Sequence, residues 1–313
     1  MTPAVFEQSL IRAVECREST REHFDDDVNL RLCGLGEPLL NKHVPEFVEQ
    51  SRDAGFDTAM SSNGALLDER RSRAVLDAGL QKILINVADH DDAYEDVYRL
   101  PYARTRDNVI RFAEMAEGRC EVYIVLVDYR RDADHIAAME RYWRKHGIRA
   151  FMTYDVMNRG GALFVDHMQY ASYPEQTQAR AMLEESDVVP VCVAPFVYLF
   201  IGYDGQYYLC CSDWKKEVPL GSVFDESFRS ITAQKLATVR SRAPVCNTCN
   251  IDPLNTLTDE LRAVAAGEKD QASVKATLTS MRRVAEEVEA SLEAVDPGVT
   301  TRRTRTLIPV REG

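Results

Sequence analysis

The chain has 313 residues, 45% of them hydrophobic and 28% charged, and its net charge is -12. This acidic balance excludes a nucleic-acid groove, because such a groove needs positive charge to replace the counterions around phosphate. The sequence has no run of roughly 18 apolar residues and no basic-then-apolar leader, so neither a membrane span nor export is expected. We therefore predict a cytoplasmic protein with no nucleic-acid or membrane partner.

The first half of the chain alternates strand-like apolar runs with amphipathic helical stretches. Thr2-Pro3 reads as the N-cap and first turn of a helix that ends near Arg17. Strand–helix alternation at this spacing predicts βαβ units and a parallel sheet buried on both faces. The predicted strands are 28–36, 56–64, 82–89, 121–128 and 148–156, and the predicted helices are 41–54, 67–78, 105–117 and 132–146, ended by Gly55, Gly79, Gly118 and Gly147.

The region 188–256 has a different texture, with short aromatic-rich strands that turn at Asp204-Gly205. An Asp-Gly pair between such strands predicts a β-hairpin. We expect a helix near 227–240 to follow, and then a loop that contains a C-x-x-C motif.

From Leu257 onward the pattern is helical and is interrupted around Gly267. Its second half predicts an amphipathic helix that either docks on the chain's own barrel or pairs with a second copy of the chain. We favour docking on the barrel, because three heptads with a central alanine are marginal for an isolated coiled coil. The basic tail that contains Arg302 is expected to lack ordered structure. The apolar seam of the helix consists of Val274, Leu278, Met281, Ala285, Val288, Leu292 and Val295.

Five of the eight cysteines lie within residues 192–249, whereas Cys16, Cys33 and Cys120 are scattered. Scattered cysteines are usually small buried hydrophobes, but a group that contains a C-x-x-C usually binds metal. Four thiolates at one point suit either zinc or an iron–sulfur cluster, and the alternative is a chance set of core cysteines. Because Cys211 must face away from Cys210 on a strand, we take Cys210 as the ligand and expect four converging sulfurs.

A C-x17-C-C-x-D pattern that begins at Cys192 is followed by Leu220-Gly221-Ser222 and by the C-x-x-C at Cys246. This order resembles the SPASM/twitch domain of radical SAM enzymes, although Pro219 departs from the family's pattern. The resemblance implies one auxiliary [4Fe–4S] cluster held by Cys192, Cys210, Cys246 and Cys249.

Short motifs at three predicted strand ends extend the resemblance over roughly residues 1–255. The segment Gly-Leu-Gly-Glu-Pro at 34–38 is similar to the family's GGEP motif, which holds the amino group of S-adenosylmethionine (SAM). Glycines there let the backbone approach a ligand at the carboxyl end of a parallel strand. Taken singly, each motif also fits an ordinary turn. Together they imply a SAM site made of Gly34, Gly36, Glu37, Ser62, Asn63 and Asn86.

The family's defining C-x-x-x-C-x-x-C motif is absent from the 313 residues. In the family it follows a first strand and precedes a helix, and the segment 1–6 resembles the entry to that helix. We therefore expect the natural chain to begin further upstream, which makes the strand at 28–34 an exposed barrel edge. The alternative is a protein that has lost its radical chemistry.

The sequence thus predicts an α/β fold: a partial (β/α) barrel, radical SAM-like with its first strand missing, then a small α+β iron–sulfur domain and a C-terminal helix. The expected domains are 1–160, 161–256 and 257–313. The resemblance implies a radical SAM-type oxidoreductase with SAM, one auxiliary [4Fe–4S] cluster and an external electron donor. Its substrate would be a small polar metabolite (sugar, cyclitol or nucleoside) or a peptide. Tyr154, Asp155 and Arg159 would face that substrate, unless they form only a solvated strand end. The alternative is a degenerate, non-catalytic iron–sulfur or zinc protein.

Overall fold

The computed structural model describes residues 1–22, 28–186 and 188–301. Contacts divide the chain into two compact units. The first comprises Met1–Leu10 and Asp26–Val156, and the second comprises Ile11–Asp25 and Met157–Gly313. The expected domain boundaries at residues 160 and 256 remain a prediction, and the expected lack of order from Arg302 onward lies outside the described residues.

The first unit is built on a five-stranded parallel sheet whose strands are neighbours in chain order. The predicted alternation is confirmed, and β1 lies at the edge of the sheet, as expected. The strands are β1 (Leu30–Leu32), β2 (Thr58–Ser62), β3 (Lys82–Asn86), β4 (Glu121–Asp128) and β5 (Ala150–Asp155). The helices are α1 (Pro3–Thr20), which begins in this unit, α2 (Val44–Asp53), α3 (Glu69–Asp77), α4 (Asp91–Tyr98), α5 (Tyr102–Ala116) and α6 (Ala133–Lys145).

Side chains alternate between the two faces of this sheet, as the pleat of a strand requires. On one face, Met60 and Ile83 pack with buried side chains of α2, α3, α5 and α6, among them the fully buried Trp143. On the other face, Leu84 and Val125 belong to a smaller apolar cluster. Apolar cover on both faces explains why these strands read as nearly continuous hydrophobic runs. Because all five strands are parallel, their carboxyl ends lie at one edge of the sheet.

The second unit contains a two-stranded antiparallel sheet of β6 (Gln206–Tyr208) and β7 (Pro219–Ser222). The predicted turn at Asp204-Gly205 is present, and Gly205 has a φ of +77°. The arm before the turn pairs with β6 as predicted, through an antiparallel bridge of Ile201 with Tyr207 and a hydrogen bond of 3.1 Å from the Tyr208 N–H to the Phe200 carbonyl, but it does not extend further back as a strand. One reason is that the Tyr198 carbonyl, which a ladder would use, accepts a hydrogen bond of 2.7 Å from a lysine side chain.

The carboxylate of Asp204 ties the turn together. Its Oδ2 accepts hydrogen bonds from the Tyr208 hydroxyl at 2.8 Å and from Lys216 Nζ at 3.1 Å, and its Oδ1 accepts one from Gln206 N at 3.2 Å. Partial burial works against the charged form, but these donors outweigh it and hold the pKa of Asp204 below its usual value.

Helices make up the rest of the second unit: α7 (Pro174–Glu185), α8 (Ala194–Val197), α9 (Phe228–Arg240), α10 (Pro253–Ala265) and α11 (Gln271–Val295). The seam of α11 is buried on the same chain, as expected, but its partners differ from those predicted. Met281 packs with buried leucines of α7 and α10, and Leu292 packs with Leu236 of α9. The partner is therefore this helical layer and not the barrel that we expected. None of the helices in the described ranges qualifies as a membrane-spanning segment.

Candidate functional site

The four cysteines singled out from the sequence lie in three segments of the second unit. Cys192 precedes α8, Cys210 follows β6, and Cys246 and Cys249 flank the end of a 3-10 turn at Pro244–Asn247. Cys210 and Cys249 are buried, whereas Cys192 and Cys246 are half-buried. The Cys192 thiol lies 3.9 Å from the carbonyl oxygen of Ile251, just beyond the C-x-x-C loop. The fold thus brings residues more than 50 positions apart into one neighbourhood.

Burial raises the pKa values of all four of these thiols. Burial raises the pKa of Cys192 to about 12, and the neighbouring thiols of Cys210 and Cys249 add to this rise. Burial likewise raises the pKa of Cys210 to about 11, with Cys249 contributing. The pKa of Cys246 is raised by burial and then by Asp252, Cys192 and Cys210. Four thiols that share one poorly solvated space can be held as thiolates by a cationic metal centre.

Of the two adjacent cysteines, Cys210 is buried and Cys211 is half-buried, and the choice of Cys210 as the ligand stays a prediction. The interactions resolved for Cys211 in the described chain are with Cys210 itself and, through its carbonyl, with Arg159 Nη1 at 3.5 Å. Within residues 1–22, 28–186 and 188–301, no three His, Cys, Asp or Glu side chains are arranged as ligands of one metal ion. The close convergence of sulfurs that we expected is therefore not shown.

The surroundings of the thiols fit an iron–sulfur cluster. The Ser212 hydroxyl is buried, has no nitrogen or oxygen partner, and lies beside the Cys249 thiol, whose pKa it helps to lower against the larger effect of burial. A hydroxyl in that place can donate to a thiolate sulfur, and such hydrogen bonds tune bound clusters. Four cysteine sulfurs with a nearby hydroxyl are donors that suit an iron–sulfur cluster, and their assignment as its ligands stays a prediction.

Asn255, in the first turns of α10, clamps the C-x-x-C loop from inside. Its side chain is fully buried. The Nδ2 group donates to the carbonyl oxygens of Cys249 at 2.8 Å, Asn247 at 3.1 Å and Cys246 at 3.3 Å. Its Oδ1 accepts a hydrogen bond of 2.7 Å from Gln176 Nε2 on α7. One amide thereby fixes the backbone of both C-x-x-C cysteines.

Asn158 holds the same loop from a turn that follows the first unit. Its Nδ2 donates to the Thr248 carbonyl at 2.6 Å, and its backbone N–H donates to Asn250 Oδ1 at 3.0 Å. Asn250 returns a hydrogen bond of 3.2 Å from its own N–H to Asn158 Oδ1. Thr248 Oγ1 donates to the Gly160 carbonyl at 2.7 Å. The sequence predicted this segment only as a turn, and the asparagines were missed.

Two buried aspartates complete the frame around the thiols. Asp252 caps α10 by accepting from Leu254 N at 3.0 Å, and it accepts from Arg242 Nη2 at 2.7 Å. Burial raises the pKa of Asp252 even though Arg242 opposes the rise. Asp213 accepts from the N–H groups of Glu217 and Val218, both at 2.9 Å, and burial also raises its pKa. Both carboxylates therefore shape backbone next to cysteines.

A second set of predicted residues meets at the carboxyl edge of the first unit's sheet. Glu37 Oε1 accepts from Ser62 Oγ at 3.0 Å and from Leu39 N at 3.1 Å, and its Oε2 accepts from Asn63 N at 2.8 Å. Asn86, at the end of β3, donates from Nδ2 to Ser62 O at 3.4 Å. The structure thus places Glu37, Ser62, Asn63 and Asn86 together.

The glycines of these motifs differ in what they allow. Gly34 has a φ of +153°, and a Cβ there or at Gly36 would meet no atom within 4 Å, so space beside this segment is open. Gly64 has a φ of +78°, and its Cβ would lie 2.9 Å from Val109 Cγ2. The glycine of Ser62-Asn63-Gly64 is therefore required by helix packing as well as by backbone conformation.

A buried aspartate just beyond β3 is a site residue that sequence reasoning did not assign. Asp89 is 1% exposed, accepts from the Tyr129 hydroxyl, and accepts from Arg130 Nη2 at 2.8 Å. His135 Nε2 lies 3.2 Å from its Oδ1. The signal in the sequence is an aspartate directly after an apolar strand, but its partners after β4 could not be read from spacing.

Of the three residues expected to face a substrate, Tyr154 and Asp155 belong to the first unit and Arg159 belongs to the second. Tyr154 and Asp155 are exposed at the end of β5, and the Tyr154 hydroxyl contacts Met152 Sδ at 3.2 Å. The Arg159 guanidinium lies 5.7 Å from the ring centre of Trp214 in the second unit. Their proposed role toward a substrate stays a prediction.

The chain resembles known proteins both in part of its sequence and in its fold. Residues 192–250 match the SPASM family, an iron–sulfur cluster-binding domain. The structure resembles that of SuiB from Streptococcus suis with a TM-score of 0.55 and 12% identity, over 80% of this chain and 65% of SuiB. SuiB bound to its precursor peptide SuiA matches with a TM-score of 0.50 and 12% identity, over 77% and 63% of the two chains.

BtrN in complex with AdoMet and 2-DOIA also matches, with a TM-score of 0.44 and 16% identity over 80% of both chains. No curated protein sequence matches the chain significantly. Cys192, Cys210, Cys246 and Cys249 all lie within the matched segment, of which Cys192 is the first residue. Residues 192–250 of this chain are thus similar to an iron–sulfur cluster-binding domain, and its fold resembles that of SuiB.

Proposed function

We propose that this protein is a radical SAM-type iron–sulfur oxidoreductase with one auxiliary [4Fe–4S] cluster. Cys192, Cys210, Cys246 and Cys249 hold the cluster, which supplies a one-electron redox centre when bound. The observation that carries the proposal is the match of residues 192–250 to an iron–sulfur cluster-binding domain, supported by the position of the Cys192 thiol 3.9 Å from the Ile251 carbonyl oxygen beyond the C-x-x-C loop.

The cluster assignment is tested with a matched pair of adjacent cysteines. After anaerobic reconstitution with iron and sulfide, the wild-type protein should contain roughly four irons per chain and show the broad visible absorption of a cluster. Cys210→Ala should lose most of this iron, whereas Cys211→Ala should retain it. Equal loss of iron in both variants would contradict the choice of Cys210 over Cys211 as the ligand. Bound zinc without visible absorption would exclude an iron–sulfur cluster.

SAM binding is proposed for the edge formed by Glu37, Ser62, Asn63 and Asn86, with Gly34 and Gly36 leaving open space beside it. A carboxylate offers about four acceptor positions, of which Glu37 uses three within the protein. The remaining position can accept from the ammonium of a bound amino acid. Barrel folds also bind their ligands at the carboxyl ends of their parallel strands, which is the edge where Glu37 lies.

Isothermal titration with SAM tests this second site. Glu37→Gln should weaken SAM binding by about 10- to 100-fold, because a charge-assisted hydrogen bond contributes roughly 1.5–3 kcal/mol. Glu114→Gln is the control, since Glu114 is exposed on α5. Unchanged SAM affinity in Glu37→Gln, in a variant that melts like the wild type, would remove Glu37 from the proposed site.

The substrate is proposed to be a small polar metabolite (sugar, cyclitol or nucleoside) or a peptide, and an external donor is proposed to supply electrons in the cytoplasm. The peptide option is supported by the match to SuiB bound to its precursor peptide. Substrate-dependent consumption of SAM, measured with candidate peptides and sugars side by side, tests this part.

A second candidate is a non-catalytic iron–sulfur protein, which is favoured by the absence of C-x-x-x-C-x-x-C from the 313 residues. The two functions separate in an anaerobic assay with SAM and a strong reductant. Formation of 5′-deoxyadenosine above a control without protein indicates the enzyme. SAM binding and a loaded cluster without that product indicate the non-catalytic protein.

A further inference from the structure

Arg130 and the buried Asp89 belong to a closed ring of hydrogen bonds at the carboxyl edge of the first unit's sheet. Asp89 follows β3, and Tyr129 and Arg130 follow the neighbouring strand β4. Arg130 donates from Nε to the Tyr129 hydroxyl at 3.0 Å and from Nη2 to Asp89 Oδ1 at 2.8 Å. The Tyr129 hydroxyl in turn donates to Asp89 Oδ2, which closes the ring. One edge of the guanidinium is therefore fixed by groups of the protein itself.

His135, in the first turn of α6, holds the same carboxylate from a third side. Its Nε2 lies 3.1 Å from the Ala88 carbonyl oxygen and 3.2 Å from Asp89 Oδ1. Because a carbonyl oxygen can only accept, Nε2 carries a proton and donates. Asp89 is 1% exposed, and three donors compensate for the loss of water around its charge. Asp89 is thus an anchor that sets the orientation of the Arg130 guanidinium.

The second edge of the Arg130 guanidinium makes no hydrogen bond to any residue that the structure describes. A guanidinium has five N–H donors, and the ring uses only one on Nε and one on Nη2. The donors that remain, on Nη1 and Nη2, lie on a side chain that is 38% exposed. Two parallel N–H groups in a fixed fork match the two oxygens of a carboxylate. The ring therefore presents a preorganised fork to a ligand.

The backbone of both loops supports a functional role for this ring. Arg131, directly after Arg130, has a φ of +56°, and Asp91, two positions after Asp89, has a φ of +51°. The left-handed region is unfavourable for residues with a Cβ, which comes too close to a carbonyl oxygen there. Such conformations persist only where surrounding contacts fix them, and they are concentrated at ligand-binding sites. Both loops are thus held in place at a cost that a simple connection would not need.

We propose that Arg130 binds a carboxylate of the substrate through this second edge, with Asp89, Tyr129 and His135 as positioning residues. The inference rests on the proposed function and narrows its substrate class. An acidic peptide or a sugar acid carries the required carboxylate, whereas a neutral sugar, cyclitol or nucleoside does not. Asp89 lies three positions beyond Asn86, so the fork is at the same edge of the sheet as the proposed SAM site.

The test is a set of equilibrium titrations of the 313-residue protein, followed by ligand-observed NMR, with two matched pairs of probes. The first pair is a blocked tripeptide with a central glutamate and its glutamine counterpart, and the second is glucuronate and glucose. The wild-type protein should bind the acidic member of one pair about 10- to 100-fold more tightly, as expected for a charge-assisted fork. Arg130→Gln should abolish this preference. Arg130→Lys should keep only part of it, because lysine retains the charge without the fork.

Two controls separate this role from others. Arg73→Gln, at an exposed position of α3, should leave the preference unchanged. The affinity for SAM should be the same in Arg130→Gln and Arg130→Lys as in the wild type. Weaker SAM binding in both variants would assign the fork to the carboxylate of SAM and overturn the proposal.

Every other outcome also decides. Preference for the glutamate peptide indicates an acidic peptide, and preference for glucuronate indicates a sugar acid. A wild-type protein without a preference, or without binding of any probe, overturns the proposal. A preference that survives in Arg130→Gln, or an equal loss for acidic and neutral probes, does the same. If Arg130→Gln does not fold, Arg130→Lys decides by the same criteria. No turnover is needed, so a failure of the proposed function in the cluster and 5′-deoxyadenosine assays is observed separately.

Discussion

Replacing Asn255 by alanine should destabilise the second unit and weaken its hold on the cluster. The substitution leaves the carbonyls of Cys246, Asn247 and Cys249 without their shared donor and leaves Gln176 Nε2 without the Asn255 acceptor. The amide can make about three hydrogen bonds with its donors and its acceptor. Each such hydrogen bond contributes roughly 0.5–1.5 kcal/mol net to stability. Because the side chain is fully buried, water cannot replace them, and we expect a loss of about 2–4 kcal/mol.

Equilibrium urea unfolding, monitored by hydrogen–deuterium exchange in peptides of each unit, measures the loss of stability separately for the two units. Peptides of the second unit should unfold at lower urea in Asn255→Ala, while those of the first unit should be unaffected. Iron affinity should also fall by about 10- to 100-fold, as for other residues that orient metal ligands.

Two further variants sharpen the test. Asn255→Asp keeps an acceptor for Gln176 but turns carboxylate oxygens toward three carbonyls, so it should be less stable than Asn255→Ala. Thr256→Ala, at the exposed next position of the helix, should stay within about 0.5 kcal/mol of the wild type. If Asn255→Ala also stays within that margin and loads iron normally, Asn255 does not stabilise the C-x-x-C loop.

Other predictions concern stability. The lowered pKa of Asp204 stabilises the fold above the unfolded pKa of about 3.9, and this is lost as pH falls through the folded value. In urea titrations, Asp204→Asn should therefore lower the free energy of unfolding by about 1 kcal/mol at pH 7, a value reduced for solvent screening. The substitution should have no effect at a pH below both the folded and the unfolded pKa of Asp204, and a pH-independent loss would contradict this. Replacing Leu278 and Leu292 with Asp should destabilise the chain by at least about 3 kcal/mol with unchanged mass by light scattering, whereas a folded monomer derived from a dimer would show that α11 is an interface. Gly64→Ala should cost about 1–3 kcal/mol because of its φ of +78° and its contact with Val109, and an unchanged melting temperature would refute that reading.

The sequence alone predicted the architecture of the first unit well, because periodicity and glycine stops are local properties of the chain. All five strands of the sheet and the helices between 41–54, 67–78, 105–117 and 132–146 were expected, and the structure has them. The short helix α4 was missed, since its two turns leave too few apolar positions for a period to be recognised. Which of the cysteines hold a cluster stays a prediction from their spacing.

Only the tertiary structure decided what each buried face and each polar side chain meets. Periodicity showed that α11 buries a seam, but the choice of the helices of the second unit over the barrel depends on which apolar faces the chain leaves uncovered. The same holds for Asn158, whose partner Asn250 lies 92 positions away, and for Arg130, 41 positions from Asp89. A hydrogen bond over such separations leaves no local pattern in the sequence, because it depends on where the backbone returns and on which groups it brings out of water.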